Sequence, residues 1–305
     1  MTGILLVDKP TGPTSHDVVA MVRRALNVRR VGHFGTLDPF ASGLLVLGVG
    51  PATRLATFAV DHPKTYLATV RLGATSTTDD AEGEIEETAA APAPREAVET
   101  VCATWLGEVE QIPPAYSAKH VAGARAYALA RAGEAVVLPS ETVSIDRIQI
   151  LRYEWPDLVI EVDCGPGTYL RALARDLGEA LSTGGYCREL RRTRSGPFEV
   201  GQALDASALG EPGRAEAALL SAESAVVDRP AVELDASAAA AAANGGRVAA
   251  PDSIPPDVRW ARLRGPGGFV GMAERVEGDG RAWLQPRRIL YPEGETAWPP
   301  AERSP

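Results

Sequence analysis

The hydrophobic and polar positions of this chain follow two periods, which predict a mixture of strands and helices. Residues 66–72 alternate with period two, the pattern of a strand that has one buried face. Short continuous apolar runs predict strands that are buried on both faces. The strands predicted in addition lie at 5–7, 44–49, 141–154, 158–164 and 186–193.

Helices are predicted between these strands. Thr14 followed by Asp17 resembles a capping box, and the segment after it places apolar residues on one helical face. Because strands outnumber helices and do not alternate strictly with them, the sequence predicts an α+β fold with a mixed or antiparallel central sheet. The other predicted helices lie at 53–60, 95–106 and 169–181, and the acidic, Ala/Pro-rich segment 79–94 is predicted to be an exposed loop.

The last third of the chain has a different composition. Residues 201–228 are rich in Ala, Gly and Glu, and the alanine run 236–243 ends at Asn244-Gly245-Gly246, which predicts a short helix with a glycine stop. Short strands separated by Gly-rich turns are predicted at 258–263, 269–275 and 282–284. We therefore expect two domains, 1–228 and a small β-rich domain at 229–305.

Composition excludes several classes of protein. Of the 305 residues, 45% are hydrophobic and 23% are charged, as in an ordinary globular protein. No apolar stretch approaches the roughly 20 residues that span a bilayer. The three cysteines are far apart and lack metal-ligand spacing, so we expect no disulfide framework, no metal site and a reducing, cytoplasmic compartment.

The net charge of −9 argues against nucleic-acid binding only when it is taken as a whole. Residues 61–110 carry three basic and eleven acidic residues, whereas residues 188–194 carry four arginines and one glutamate. Phosphate contacts act within about a Debye length, so a basic groove is compatible with an acidic total.

The densest concentration of unusual residues is the segment 32–48. It places Asp38 in a loop between Gly35 and Gly43, ahead of a buried apolar run. Pro39 biases Asp38 towards an extended conformation, which restricts the direction in which its carboxylate points. An isolated Asp-Pro is most often an ordinary turn. The glycine frame and the neighbouring His33 favour a functional loop instead.

This segment resembles the signature GHxGxLDPxAxG of the B-type (TruB) tRNA pseudouridine synthases, which is followed by LxxxxGxAT. The chain is identified as a member of this family because further motifs match in order. The resemblance implies a pseudouridine synthase fold with a cleft across the central sheet, and a PUA-like RNA-binding domain at 229–305. The matching motifs lie at 3–17, 47–54, 64–66, 113–118, 167–171 and 190–198.

The resemblance also implies catalytic roles. Asp38 would be the nucleophile, Arg171 would pair with it and keep it ionised, and Tyr66 would remove the C5 proton of the uracil. Without the motifs, Arg171 would be taken for a surface group and Tyr66 for a core residue. The sequence leaves open whether Asp38 attacks uracil C6 or ribose C1′.

Further residues are assigned to RNA by the same resemblance. His33 would fill the stack that the flipped uridine vacates. The uracil pocket would be lined by Tyr169, Leu190, Lys64 and Gly35. An RNA-gripping insertion is expected at about 113–140. Phosphate contacts are expected from Lys119, Arg125, Arg131, Arg191, Arg192 and Arg194.

These expectations lead to one function and two alternatives. We expect an enzyme that makes pseudouridine at position 55 in the T-loop of tRNA, as a monomer, with no cofactor, metal, membrane or protein partner. One alternative is an RNA-binding tRNA-folding factor in which catalysis is secondary or lost. The joint presence of Asp38, Tyr66 and Arg171 argues against loss. A guide-RNA-dependent relative is the other, and the first motif starting at Gly3 speaks for a stand-alone enzyme.

Overall fold

The computed structural model describes residues 1–116, 120–121, 124–125, 138–278 and 280–290. In these ranges, short 3₁₀ helices occur at Gly50–Leu55, Val200–Gln202, Ala206–Gly210 and Ala222–Val226. The α-helices are α1 (Ser15–Ala25), α2 (Ala56–Ala59), α3 (Arg95–Thr104), α4 (Leu170–Ala180), α5 (Arg214–Ala217) and α6 (Ala236–Ala243).

The strands of the described residues form two large sheets and two small ribbons. The first seven are β1 (Gly3–Lys9), β2 (Val31–His33), β3 (Ser42–Val49), β4 (Lys64–Leu72), β5 (Ala74–Ser76), β6 (Ile85–Glu87) and β7 (Gly107–Gln111). The next seven are β8 (His120–Val121), β9 (Ala124–Arg125), β10 (Glu141–Glu154), β11 (Asp157–Cys164), β12 (Gly185–Ser195), β13 (Phe198–Glu199) and β14 (Leu204–Asp205). The last five are β15 (Ala231–Glu233), β16 (Val248–Ala249), β17 (Trp260–Gly265), β18 (Gly268–Gly278) and β19 (Arg281–Ile289).

The central sheet has ten strands in the order β14-β1-β3-β12-β4-β11-β10-β7, with β13 beside β12 and β2 beside β3. Most neighbours are antiparallel, but β1 runs parallel to β14 and β12 runs parallel to β3. The predicted mixed sheet is therefore confirmed. Strands β3, β12 and β4 lie in its middle, so residues that these strands carry share one region of the molecule.

Two amphipathic helices cover this sheet. The capping box predicted at the start of α1 is present, with the Thr14 side chain accepting from the Asp17 backbone N–H. Helix α1 buries Val18, Val19 and Val22, and α4 buries Leu173 and Leu177 in the same core. Burial of these apolar faces drives the docking of both helices.

Two local predictions are corrected by the structure. Residues 53–60 are not one α-helix, because a 3₁₀ helix at Gly50–Leu55 precedes the four-residue α2. The segment 79–94 is not simply an exposed loop, since it contains β6 and the side chain of Asp80 is buried. Its composition is that of a loop, but a charged partner elsewhere in the fold draws Asp80 inward.

The C-terminal region forms a second sheet in the order β15-β17-β18-β19-β16, with α6 packed on it. The predicted alanine helix and β-rich region are confirmed, and the curled five-stranded sheet fits a PUA-like domain. A boundary at residue 228 stays a prediction. The C-terminal region has a core of its own, which contains Val232, Ala239, Leu263, Val270 and Leu284.

The two sheets share a second apolar cluster. Met272 and Leu290 of the C-terminal region are buried together with Phe34 and Phe58 of the first region. The ring of Phe58 also meets that of Trp260 edge to face, with centroids 5.0 Å apart. The cluster thus joins the C-terminal sheet to α2 and to Phe34, the residue that follows His33.

Within the described residues, no helix combines the length and the apolar character that crossing a membrane requires. In the same part of the chain, no group of three or more His, Cys, Asp or Glu side chains is arranged to hold a metal ion. Cys102, Cys164 and Cys187 are all buried and free.

Candidate active site

The Asp38 loop joins β2 to β3 at the middle of the central sheet. Gly35 and Gly43 have φ values of +122° and +102°, a region that residues with a Cβ rarely adopt. The loop is also pinned to α1, since the Ser15 hydroxyl accepts from the Leu37 N–H at 2.8 Å and donates to the Leu37 carbonyl at 2.9 Å. Asp38 is therefore presented by a fixed backbone.

A buried lysine anchors the other side of the same loop. The ammonium of Lys9 donates to the carbonyls of Pro10, Pro13 and Pro39, at 2.8, 2.9 and 3.3 Å. Burial lowers the pKa of Lys9 to about 8, while the nearby Asp38 carboxylate opposes that shift. Lys9 belongs to the first motif, but nothing in the sequence pattern predicted that it would lie beside Asp38.

Arg171 brings two carboxylates together. Its side chain is only 4% exposed, its Nε lies 3.0 Å from Asp38 Oδ2, and its Nη1 lies 3.0 Å from Asp80 Oδ2. Nη2 donates to the Tyr116 carbonyl at 2.9 Å. The structure thus places Asp38 and Arg171 in direct contact, as the motifs led us to expect, and adds Asp80 as a second partner.

Asp80 is a site residue that the sequence reasoning missed. It accepts from the Thr78 hydroxyl at 2.6 Å and from the Glu82 N–H at 3.0 Å, which fixes the carboxylate that faces Arg171. The only sequence signal was two adjacent aspartates inside an acidic stretch. Arg171, the partner of Asp80, lies 91 residues further along the chain.

The electrostatics of Asp38 have opposing causes. Partial burial raises the pKa of Asp38, the Arg171 guanidinium lowers it, and the negative charge of Asp80 raises it again, for a net rise. The Asp38 side chain nevertheless keeps 36% of its surface exposed, so it can reach a bound molecule. Its carboxylate is held by a cation and remains open on the cleft side.

A cavity of about 250 Å³ lies over this carboxylate. The expected pocket residues Gly35, Lys64, Tyr66, Tyr169 and Leu190 line it together with Asp38 and Arg171. Arg192, which was expected to contact phosphate, lines the same cavity. The structure therefore brings eight of the expected residues to one cleft.

Tyr66 and Lys64 project from β4 into this cleft. Tyr66 is 9% exposed, and burial raises the pKa of its phenol although the Arg192 guanidinium beside it acts in the opposite direction. Lys64 donates to the Val60 carbonyl at 2.5 Å, and burial lowers the pKa of its ammonium to about 8. The cleft thus contains a neutral phenol and a cation that titrates close to neutrality.

His33 stands apart from the cavity lining, on β2 beside the loop. It is half-buried, and burial together with the charge of Arg192 lowers the pKa of its imidazole below 6.5. A neutral imidazole at neutral pH is suited to stacking on a base.

The arginines expected to contact phosphate fall into different environments. Arg191 pairs with Asp8 at 2.6 Å, and Arg194 lies 3.5 Å from Asp163; both stay partly exposed. Arg192 does not fit the expectation, because its side chain is 1% exposed and its N–H groups bind backbone carbonyls. Lys119 and Arg131 lie outside the described residues, and only the backbone of Arg125 is described.

Comparison with solved structures identifies the class of fold. The structure of an H/ACA RNP bound to a substrate RNA containing 2'-deoxyuridine superposes with a TM-score of 0.74 at 25% identity, over 96% of this chain and 86% of that one. A Cbf5-Nop10-Gar1 complex gives a TM-score of 0.73 at 27% identity, over 94% and 84%. The fold is therefore that of the pseudouridine synthases.

Sequence comparison narrows the class to one family. A model of the TruB family pseudouridylate synthase N-terminal domain matches residues 23–170, and one of the tRNA pseudouridylate synthase B C-terminal domain matches residues 171–226. The tRNA pseudouridine synthase B of Aromatoleum aromaticum is 42% identical over 94% of this chain and 92% of its own length. That of Mycobacterium tuberculosis (strain CDC 1551 / Oshkosh) is 45% identical over 80% of this chain and 83% of its own length. The chain belongs to the TruB family of pseudouridylate synthases and is an enzyme of that class.

Proposed function

We propose that this enzyme converts the uridine at position 55, in the T-loop of tRNA, to pseudouridine, with Asp38 as the nucleophile. The observation that carries the proposal is the ion pair between Asp38 and Arg171, which lines a cavity of about 250 Å³. The names of the relatives support tRNA as the substrate.

The reaction is an isomerisation, so the atoms of the product are those of the substrate. The bond between N1 and C1′ breaks, the uracil turns, C5 bonds to C1′, and the C5 proton is lost while N1 gains one. Asp38 would attack C6 of the base or C1′ of the sugar, since a carboxylate can form a covalent intermediate at either. Arg171 holds the carboxylate for that attack because it binds the oxygen Oδ2 from one side.

Tyr66 would remove the C5 proton, since its ring lines the same cavity as Asp38. Tyr169 and Leu190 would hold the uracil ring from other sides, with Lys64 and the Gly35 backbone supplying polar contacts. In this arrangement one nucleotide is enclosed by the side chains that act on it.

The target uridine must first leave its stack in the T-loop, at a cost of a few kcal/mol. His33 would fill the vacated place, because it is neutral, flat and adjacent to the Asp38 loop. Phosphates of the T-stem would meet Arg191 and Arg194, and the insertion would add Lys119, Arg125 and Arg131.

The C-terminal sheet would provide a second RNA contact. The guanidinium of Arg281 lies 3.8 Å from the ring centroid of Trp283. Together the stacked guanidinium and indole present a flat surface with a positive charge. We expect the protein to act on tRNA as a monomer in the cytoplasm, without a protein partner.

Pseudouridine mapping in a tRNA transcript tests the proposal directly. Wild type should modify position 55 alone, and Asp38→Asn should bind the same transcript and form no product, because the amide lacks the anion. Asp157→Asn is the control, since this carboxylate pairs with Arg188 on the surface, and it should react like wild type. Product from Asp38→Asn would remove Asp38 as the nucleophile. Tight binding by wild type without product would favour the folding-factor alternative.

A further inference from the structure

Arg192 is a buried cation that the reaction scheme above leaves unused. It lies on β12 with 1% of its surface exposed. Its Nε donates to the Leu44 carbonyl at 2.7 Å, its Nη1 to the Thr36 carbonyl at 3.3 Å, and its Nη2 to the Gly35 carbonyl at 3.2 Å. These three carbonyls flank Asp38 on both sides of its loop, so a single side chain fastens both ends.

The backbone around Arg192 is packed as closely as its side chain. Gly43 pairs with Arg192 in the parallel register of β3 and β12, and a Cβ at Gly43 would overlap the Arg192 backbone. On its other side, Arg192 pairs with Tyr66 in the register of β4 and β12. Arg192 is therefore the residue of the sheet that separates the Asp38 loop from the strand of Tyr66.

The guanidinium of Arg192 also acts on Tyr66. Its charge and a hydrogen bond to the phenol oppose the rise that burial imposes on the pKa of Tyr66. Two other titratable groups face this phenol, Cys164 from β11 and Asp38 from the loop, and both favour its neutral form. Arg192 is the group in this set that supplies positive charge.

A buried guanidinium is costly unless its charge is used. Within the described residues, Arg192 has no carboxylate partner at salt-bridge distance. Its hydrogen bonds go to three backbone carbonyls and to the Tyr66 phenol, which are all neutral. Arg192 lines the Asp38 cavity, but with 1% of its surface exposed it does not meet the phosphates of an RNA backbone on the outer surface. Its position instead suits the alignment of the groups that react.

We propose that Arg192 is a positioning residue for catalysis, which holds the Asp38 loop against the strand that carries Tyr66 so that nucleophile and base face one nucleotide. This inference rests on the proposed roles of Asp38 and Tyr66. It differs from a phosphate contact in a measurable way, since a positioning residue affects the rate and a phosphate contact affects the affinity.

The test compares Arg192→Met and Arg192→Lys with wild type in single-turnover reactions and in RNA-binding titrations over a range of salt. Arg192→Met should lose about 10²-fold in rate, the loss typical of a misplaced reacting group, and keep its affinity within twofold. Arg192→Lys keeps the positive charge but lacks the planar set of guanidinium N–H donors. It should react faster than Arg192→Met and more slowly than wild type. The slope of log K against log[salt] should not change.

Arg71→Met serves as the matched control. Arg71 lies on the strand of Tyr66 and is paired with Asp157 at its far end, so both rate and affinity should stay at wild-type values. A pH profile adds a readout that loss of packing alone would not move. Since Arg192 lowers the pKa of Tyr66, a limb of the rate profile that reports the phenolate should move to higher pH in Arg192→Met.

Three results would overturn the inference. The first is a wild-type rate in Arg192→Met. The second is a loss of affinity with a salt slope that is shallower by roughly 0.7–0.9, as one lost phosphate contact predicts. If Arg192→Met does not fold, Arg192→Lys decides alone, and an unchanged rate and pH profile in that variant would be the third. Failure of the proposed function would appear separately, as product formed by Asp38→Asn.

Discussion

Replacing Asp80 with asparagine tests whether Arg171 needs both of its carboxylates. Asp80 is 3% exposed and is 3.0 Å from Arg171 Nη1, so the substitution removes one charge from a buried pair. Loss of one partner of such a pair costs about 3–5 kcal/mol. Because asparagine can still accept from Arg171, and because Asp38 remains 3.0 Å from Nε, we expect the lower end of this range.

Asp80→Asn is expected to lower the plateau rate and to move the acid limb of the pH profile to lower pH. Arg171 would be held from one side only, so the plateau rate in single-turnover assays should fall by an order of 10²-fold. The negative charge of Asp80 contributes to the raised pKa of Asp38. Its removal should lower that pKa, so the acid limb of the rate should move to lower pH. In thermal unfolding of a chain of 305 residues, about 3 kcal/mol corresponds to a midpoint lower by about 5 °C.

Asp79→Asn is the control for this experiment. Asp79 is the neighbouring carboxylate and pairs with Arg175 at 2.9 Å, away from Asp38. It should cost some stability while leaving the rate and its acid limb in place. Equal rates for Asp80→Asn and Asp79→Asn, or an acid limb that moves upward in Asp80→Asn, would refute the reasoning about Arg171.

Three further predictions follow from the same geometry. Tyr66→Phe should bind RNA like wild type and lose most of its single-turnover rate, since the ring stays and the phenol is removed; a wild-type rate would limit Tyr66 to packing. The pKa of Asp38 is raised above 3.8, so the rate should decline, as pH falls, at a pH above that value. The ionised, partly buried carboxylate should lower the free energy of unfolding fully above the raised pKa. This penalty should shrink as pH falls and vanish below the ordinary value of 3.8, which denaturant titrations at several pH values can measure. Gly43→Ala should cost about 2–5 kcal/mol from backbone strain and overlap together, whereas Gly12→Ala, with φ at +105° and open space around it, should cost only the strain.

Much of the fold could be predicted because it depends on local patterns. The period-two strand of Tyr66 and the capping box at Thr14 are written in adjacent residues, and both are present. Asp80 could not be found in this way, because its burial depends on a partner far along the chain. Judged by composition alone, the arginines of a basic cluster are expected to be exposed to solvent. That expectation was wrong for Arg192, which is buried.

The strand pattern contained a signal that would have corrected this. Leu190 and Arg192 are two residues apart on β12, so they share a face, and Leu190 was already expected to line the pocket. Alternation along the strand therefore predicted an inward Arg192. Charge density alone does not reveal which arginine of a cluster points inward.

The apolar cluster that joins the two sheets has a consequence for how the enzyme selects its substrate. Met272 and Leu290 pack with Phe34, the residue after His33, so a hinge motion between the sheets would expose these side chains to water. Burial of this cluster therefore favours one distance between the Asp38 cleft and the outer face of the C-terminal sheet. For the RNA contact proposed on the C-terminal sheet, an RNA that reaches both places would have to present its uridine and its second contact at that spacing, so the overall shape of the RNA would be selected as well as its bases.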